Sequence, residues 1–275
     1  MIITFLFLSY DKILYILKKI RLYKYLPRYI TNNRFFENCI SYINPKYIFF
    51  FKLKDMIYEY PLPIIIASFI KEGDIVVDIG AYQGSYTVFL SRLVGQKGKV
   101  YAFEPDPRNF YILKHRTRKL KNVIIERSAV GNKKSKVKFY VDKFMGMSTI
   151  YKDASAYPIT CLEVDMVSLD DYFQDLKGDI ALIKMDVQGS EPLVLDGMKN
   201  LIKKVKVLIF EFWPLGIKVA GFEPFSLIER LISNNFKLIY IDENFNIYNG
   251  GKSYNKINDK ESLNIIAINK KYLNI

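Results

Sequence analysis

Glycines and carboxylates at the ends of two apolar segments are suited to bind a nucleoside. Asp78 lies at the end of the first segment, Gly80 and Gly84 follow it, and Glu104 follows the second segment, 24 residues after Gly80. Glycines let a ligand approach the backbone closely, because no side chain intervenes. A carboxylate at the end of the second strand can accept hydrogen bonds from both ribose hydroxyls. The spacing GxxxG lacks the tight phosphate-binding turn of GxGxxG, so a dehydrogenase is the least expected alternative.

Asp78 adds a preference for a positively charged ligand. A carboxylate in this turn would repel a pyrophosphate, whereas it suits a sulfonium and an amino-acid ammonium group. The turn therefore predicts a cationic nucleoside ligand and not a dinucleotide.

A second set of charged residues lies at the ends of two later apolar segments. Strand alternation places Lys184 and Asp186 on the same side, near the carboxyl end where ligands bind in such sheets. Opposite charges in an apolar strand predict an ion pair, because an unpaired buried charge is costly. This pair could be structural, or Asp186 could receive or orient a hydroxyl proton, which is the interpretation we favour. Glu211 could pair with Lys184 or face the substrate, and Glu191 could equally stabilise the start of the next helix.

The composition disfavours several other chemistries. His115 is the only histidine and lies among Lys and Arg residues, so a histidine-based metal site or catalytic dyad is not expected. Cys39 and Cys161 form no CxxC pair, which disfavours a disulfide framework or a zinc site and fits a reducing compartment. Carboxylates alone, such as Asp186 with Glu191, could hold a divalent metal, but the sequence requires none.

The elements that must position these residues are short apolar strands alternating with amphipathic helices. This alternation predicts a parallel sheet covered by helices on both faces. Residues 1–60 form a predicted N-terminal helical extension, and residues 61–275 form the main domain. Residues 131–178 do not follow this alternation of strands and helices and are interpreted as an insertion over the site. The predicted strands cover residues 75–79, 99–103, 123–126, 136–141, 180–185, 205–210, 236–241 and 263–268.

The charge and the N-terminal residues bear on possible partners. The chain of 275 residues is half apolar and carries a net charge of +13, which invites a nucleic-acid interpretation. The positive charge is spread along the chain and no RNA-binding module is recognisable, so a nucleic-acid partner is not expected.

Residues 1–30 contain an apolar run too short to span a bilayer, followed by a predicted basic amphipathic helix. That helix could contact a membrane surface or pack on the domain, and a cytoplasmic location is expected because no signal-peptide pattern is present.

Four segments resemble successive blocks of FkbM-type methyltransferases, a class I family that depends on S-adenosylmethionine (SAM). The segments read DIVVDIGAYQGSYT, VYAFEPDP, VSLDDYF and IALIKMDVQGSEPLVLDGM, and the resemblance runs over about residues 73–213. It implies a Rossmann-like, mostly parallel sheet of seven strands with the last antiparallel. It also implies SAM as methyl donor and O-methylation as the usual reaction.

The resemblance also implies roles for individual residues. Asp78, Gly80 and Gly84 would hold the methionine portion of SAM, and Glu104 would hold the ribose. Ser128 and Ala129, at the end of the third strand, would lie beside the adenine. The remaining members of the expected cofactor-binding set are Ala81, Pro105 and Asp186. Gln188 departs from the family, which commonly has Glu there, and the neutral amide puts a proton or metal role of that position in doubt.

The resemblance further implies O-methylation of a hydroxyl on a sugar, glycolipid or related metabolite, which is the usual substrate range of the family. The N-terminal extension and the 131–178 insertion would shape the acceptor pocket. Aromatic residues that could stack on the acceptor are Tyr82, Tyr151, Tyr157 and Trp213. The alternatives are RNA or protein methylation on the basic surface and a non-catalytic SAM-binding module.

Overall fold

The computed structural model of the protein describes residues 62–241, 247–249 and 262–273. The expected N-terminal extension, its membrane contact and Cys39 lie outside the described residues. Within them, no helix combines the length and apolarity needed to cross a bilayer.

Eight strands form the main sheet, in the order β10-β9-β11-β8-β7-β1-β2-β3. They are β1 (Ile75–Ile79), β2 (Lys99–Phe103), β3 (Val123–Glu126), β7 (Ile180–Met185), β8 (Val205–Phe212), β9 (Phe236–Ile241), β10 (Ile247–Asn249) and β11 (Leu263–Asn269). The run from β8 to β3 is parallel, and β11 is antiparallel to both β8 and β9. The predicted Rossmann-like sheet with an antiparallel last strand is confirmed, and the short β10 adds an eighth strand at one edge.

Two apolar clusters cover the two faces of this sheet. Ile183 packs in one cluster and Leu182 in the other, because successive side chains of a strand point to opposite faces. All six residues of β7 are buried, which explains why the central strands read as continuous apolar runs. The helices are α1 (Leu62–Phe69), α2 (Ser85–Val94), α3 (Pro107–Thr117), α4 (Leu169–Tyr172), α5 (Glu191–Asp196), α6 (Pro214–Val219) and α7 (Pro224–Ser233).

A second, three-stranded sheet interrupts the alternation, in the order β4-β6-β5. Its strands are β4 (Ser128–Val130), β5 (Ser135–Asp142) and β6 (Pro158–Val167). Only the second of these strands was predicted from the sequence, over residues 136–141, because β6 carries polar side chains at alternate positions and its exposed residues resemble a turn. Ser128 and Ala129 therefore do not close the third strand as expected. They pair with Asp165 and Met166 of β6 and belong to the second sheet.

Candidate functional site

A cavity of about 260 Å³ lies at the carboxyl ends of β1, β2 and β7, between the two sheets. Eight of the predicted site residues line it: Gly80, Ala81, Glu104, Pro105, Ser128, Ala129, Lys184 and Asp186. These residues come from three strand ends and from β4, so folding brings together positions that are distant in the sequence. This is where ligands bind in open α/β sheets.

The turn after β1 sets the floor of the cavity. Gly80 has a positive φ of 72°, and its N–H and that of Ala81 each donate to the Phe103 carbonyl at 3.0 Å. A Cβ on Gly80 would lie 1.9 Å from the carbonyl oxygen of Asp186. Only glycine therefore lets the ends of β1, β2 and β7 meet at this point.

Glu104, at the end of β2, is buried and fixed by two backbone donors. The N–H of Tyr82 donates to Oε2 at 2.7 Å and that of Asp106 donates to Oε1 at 2.8 Å. Burial raises the pKa of Glu104 to about 8, although these two hydrogen bonds lower it. Each carboxylate oxygen has a second lone pair, so Glu104 can still accept hydrogen bonds from a ligand.

Asp78 and Gly84 do not line the cavity, which differs from the expected direct contact with a ligand. The Asp78 carboxylate is buried and accepts a hydrogen bond from Thr87 Oγ1 at 2.6 Å. Burial raises the pKa of Asp78, and the positive charge of Lys184, its register partner on β7, opposes that rise. Gly84 instead allows α2 to approach α3, because a Cβ there would lie 2.6 Å from Leu113 Cδ1.

The predicted pair of Lys184 and Asp186 is present, with 3.5 Å between Lys184 Nζ and Asp186 Oδ2. The ammonium of Lys184 also lies 4.7 Å from the centroid of the Tyr86 ring, a cation–π distance. Gln188 Nε2 donates to Asp186 Oδ1 at 2.9 Å and lies 3.5 Å from Glu211 Oε2. Glu211 is thus linked to Asp186 through Gln188, and it does not itself line the cavity.

Comparison with known proteins agrees with this geometry. The profile of the methyltransferase FkbM domain matches residues 78–259. The chain belongs to the FkbM methyltransferase family. It is therefore a SAM-dependent methyltransferase, and SAM is its cofactor. No curated protein sequence matches it.

Several solved structures are similar to this FkbM methyltransferase at low identity. An rRNA methylase from Streptococcus thermophilus is 13% identical, with a TM-score of 0.43 and coverage of 75% of this chain and 93% of that chain. A SAM-dependent O-methyltransferase from Thermotoga maritima is 14% identical, with a TM-score of 0.42 and coverage of 76% and 65%. Fibrillarin from Aeropyrum pernix, with natively bound SAM, is 13% identical, with a TM-score of 0.41 and coverage of 72% and 67%.

The cavity of the FkbM methyltransferase fits the chemistry of an S-adenosyl group. Glu104 offers acceptors for ribose hydroxyls, and Ser128 lines the cavity with a buried hydroxyl that has no hydrogen-bond partner among the described residues. Ala129 and Phe139 supply an apolar wall beside that hydroxyl. A purine needs such a combination of apolar surface and a few polar atoms.

Glu191 begins α5 and lies outside the cavity wall. Its Oε1 accepts a hydrogen bond from the Val187 N–H at 3.3 Å, and burial raises its pKa to about 8. This position matches the interpretation of Glu191 as a carboxylate in the first turn of a helix.

Across residues 62–241, 247–249 and 262–273, no group of three or more His, Cys, Asp and Glu residues is arranged to hold a metal ion.

Several cavity residues were not predicted from the sequence, and some predicted ones lie elsewhere. The residues that were not predicted include Tyr86, Asn109, Phe139, Ser148, Thr149 and Ile150. Of the four proposed stacking aromatics, only Tyr82 lines the cavity. Tyr151 stacks edge-on against Phe222, Tyr157 packs on Phe144, and the Trp213 ring lies against Gly216. Alternation along 136–141 could have indicated an inward-facing Phe139, but the loop residues carry no such signal.

Proposed function

We propose that this enzyme transfers the methyl group of SAM to a hydroxyl oxygen of a sugar, a glycolipid or a related small molecule. One observation carries the proposal: the Asp186 carboxylate lines the same cavity as Glu104 and is held there by Lys184 and Gln188. A carboxylate in that place can receive a hydroxyl proton while the cofactor is held at the other end of the cavity.

The cofactor contacts follow from the cavity wall. Glu104 would hold the ribose hydroxyls, and the turn at Gly80 and Ala81 would approach the methionine portion. Ser128 and Ala129 would contact the adenine, beside Pro105. Asp78 acts from behind the wall as a positioning residue, because it is bonded to Thr87 and faces Lys184 across the strand pair. When bound, SAM supplies a methyl group on an electrophilic sulfonium.

The residues of the chain align the acceptor and take up its proton. Lys184 and Gln188 donate to different oxygens of Asp186 and so fix the orientation of its carboxylate. Such positioning can supply about 7–11 kcal/mol of a displacement barrier. A general base typically adds about 10²–10⁴-fold to the rate. Geometry thus contributes most of the acceleration, and the base need not be strong.

The charge of the cavity wall favours an uncharged acceptor. Lys184 is the sole cation among the described residues that line the cavity, and it is already paired with Asp186. Phosphate groups of nucleic acids are usually bound by several Arg and Lys side chains. Hydroxyl and amide groups from Thr149 and Gln188 line the cavity instead and can hydrogen-bond a sugar.

The Asp186→Asn variant tests this proposal. We expect its methyl-transfer rate from labelled SAM to a panel of neutral glycosides and glycolipids to fall about 10²–10⁴-fold. Its dissociation constant for S-adenosylhomocysteine, measured by calorimetry, should change less than about threefold, because Glu104 and the glycine turn are intact. Asp196→Asn is the matched control. Asp196 does not line the cavity, and its Oδ1 lies 2.9 Å from Arg230 Nη2 in an ion pair. Label transfer to tRNA but to no neutral hydroxyl acceptor would refute the proposal.

A further inference from the structure

Part of the cavity wall comes from a segment outside the main sheet. Residues 143–157, here called the cover segment, connect β5 to β6 and place Gly146, Ser148, Thr149 and Ile150 on the wall. Another part of the wall is the turn that carries Glu104 and Pro105. How these two walls are joined therefore decides the shape of the cavity.

A buried carboxylate joins them. Asp106 caps α3, where its Oδ1 accepts a hydrogen bond from the Arg108 N–H at 2.9 Å. Its Oδ2 accepts one from Arg108 Nη2 at 2.7 Å and one from Ser148 Oγ at 3.0 Å. Ser148 is 42 residues from Asp106 in the sequence, so this contact ties the cover segment directly to the start of α3.

Arg108 makes a second connection to the same place. Its Nη2 donates to the carbonyl of Asp142 at 2.8 Å, and the Asp142 N–H donates to Ser148 Oγ at 3.0 Å. Asp106, Arg108, Asp142 and Ser148 thus form a closed hydrogen-bonded group, here called the latch. Hydrogen bonds of this kind, with charged partners, are stronger than neutral ones.

The Asp142 carboxylate extends the latch to both ends of the cover segment. It accepts hydrogen bonds from the Phe144 N–H at 2.8 Å, the Tyr157 N–H at 2.8 Å and Ser155 Oγ at 2.7 Å. Burial raises the pKa of Asp142, but these hydrogen bonds and the charge of Arg108 outweigh burial and hold the pKa below its ordinary value. Asp142 is therefore ionised at neutral pH, as the latch requires.

The latch also contacts Glu104, the carboxylate that is proposed to bind the ribose of the cofactor. Asp106 donates its own N–H to Glu104 Oε1 at 2.8 Å, and only Pro105 separates the two residues. We propose that Asp106, Arg108 and Ser148 are positioning residues that hold the cover segment at a fixed distance from Glu104, so that binding the cofactor also orders the acceptor wall. The inference rests on the proposed function, because it assigns the acceptor to the space beneath the cover segment. An in-line displacement is sensitive to such distances, since a misplacement of about 1 Å can cost about 10²-fold in rate.

Hydrogen–deuterium exchange on the full chain, with and without S-adenosylhomocysteine, tests the latch. In the wild type we expect the ligand to slow exchange in residues 143–157. Arg108→Ala should speed exchange there about tenfold and remove the ligand's effect, while exchange in the central strands stays as in the wild type. Ser148→Ala is the milder variant, and Ser148→Thr should restore the wild-type pattern. Arg118→Ala is the control, because Arg118 donates to the carbonyl of His115, three residues away on the surface of the protein.

Calorimetry and kinetics complete the test. The affinity of Arg108→Ala for S-adenosylhomocysteine should change less than about threefold, while KM for the acceptor rises and kcat falls about tenfold or more. Unchanged exchange in 143–157 for both Arg108→Ala and Ser148→Ala would overturn the proposal, as would a loss of ligand affinity that parallels the loss of rate. If no hydroxyl acceptor is methylated, the proposed function fails, but the exchange experiment still decides whether the latch couples the two walls.

Discussion

The two sheets that enclose the cavity are stabilised in different ways. The main sheet is packed on both faces, and every residue of β7 is buried. The second sheet is packed on one face, and residues of β5 and β6 alternate between buried and exposed over much of their length. Its apolar cluster has only five buried members, which are Ala129, Phe139, Val141, Val164 and Met166.

This difference separates two roles within one site. The strand ends that carry Glu104, Lys184 and Asp186 are fixed by close packing, which leaves little room for adjustment. The cover segment is positioned by polar contacts from Asp106 and Asp142. Both carboxylates are buried, so these contacts are few and specific, in contrast to the many apolar contacts of the main sheet. The proposed catalytic residues thus lie on the sheet with the larger apolar core, whereas the position of the cover segment depends on a small number of buried polar contacts.

The largest expected effect comes from adding one methyl group at the edge of the main sheet. Gly80→Ala would place a Cβ 1.9 Å from the Asp186 carbonyl oxygen in a residue whose φ is 72°. We expect a loss of about 3 kcal/mol or more in the free energy of unfolding, measured with urea, and a loss of ligand binding. Gly146→Ala in the cover segment is the matched control, because its added Cβ meets nothing within 4 Å. It should change stability by less than about 0.5 kcal/mol, and equal effects of the two substitutions would contradict the comparison.

A smaller effect is expected from a Val→Ala substitution in the core of each sheet, which removes two methyl groups. Val76 is fully buried in β1, and Val164 is buried in the five-residue cluster of the second sheet. Val76→Ala should lower the free energy of unfolding by about 2–3 kcal/mol, and Val164→Ala by about 1 kcal/mol, because its site collapses more easily. The second substitution should also speed hydrogen exchange only within β4–β6. A global increase of exchange in Val164→Ala would show that the two sheets unfold as one unit.

The last expected effect is on ligand affinity and not on folding stability, and it concerns protonation at the edge of the main sheet. Ribose hydroxyls bind an ionised Glu104 best, and burial raises its pKa to about 8, so protons compete with the ligand below that pH. The dissociation constant for S-adenosylhomocysteine should therefore fall as pH rises from 6 to 8, by up to about tenfold per unit, and level off above about 8. Glu104→Gln should bind more weakly and lose this dependence. Glu191→Gln should keep it, because Glu191 has a similarly raised pKa but lies outside the cavity wall; a flat wild-type profile would contradict the assignment of Glu104.

The parts of the site that the sequence predicted share a physical origin. Continuous apolar strands, a glycine turn after β1 and carboxylates at strand ends are local patterns, and parallel strands bring their carboxyl ends to one edge. Gly80, Glu104 and Asp186 therefore meet as expected. The second sheet was largely missed, because its alternating strands are short of apolar residues and are separated by an irregular segment.

The sequence by itself determined the sheet, its strand ends and the residues gathered there, since these depend on periodicity and spacing along the chain. Only the tertiary structure decided which of them face the cavity. Asp78 lies behind the wall because Thr87 and the neighbouring β7 enclose it, and Glu211 is linked to Asp186 through Gln188. The contact between Asp106 and Ser148 spans 42 residues, and no local pattern specifies it. Such contacts depend on the packing of one sheet above another, which short-range sequence periodicity does not encode.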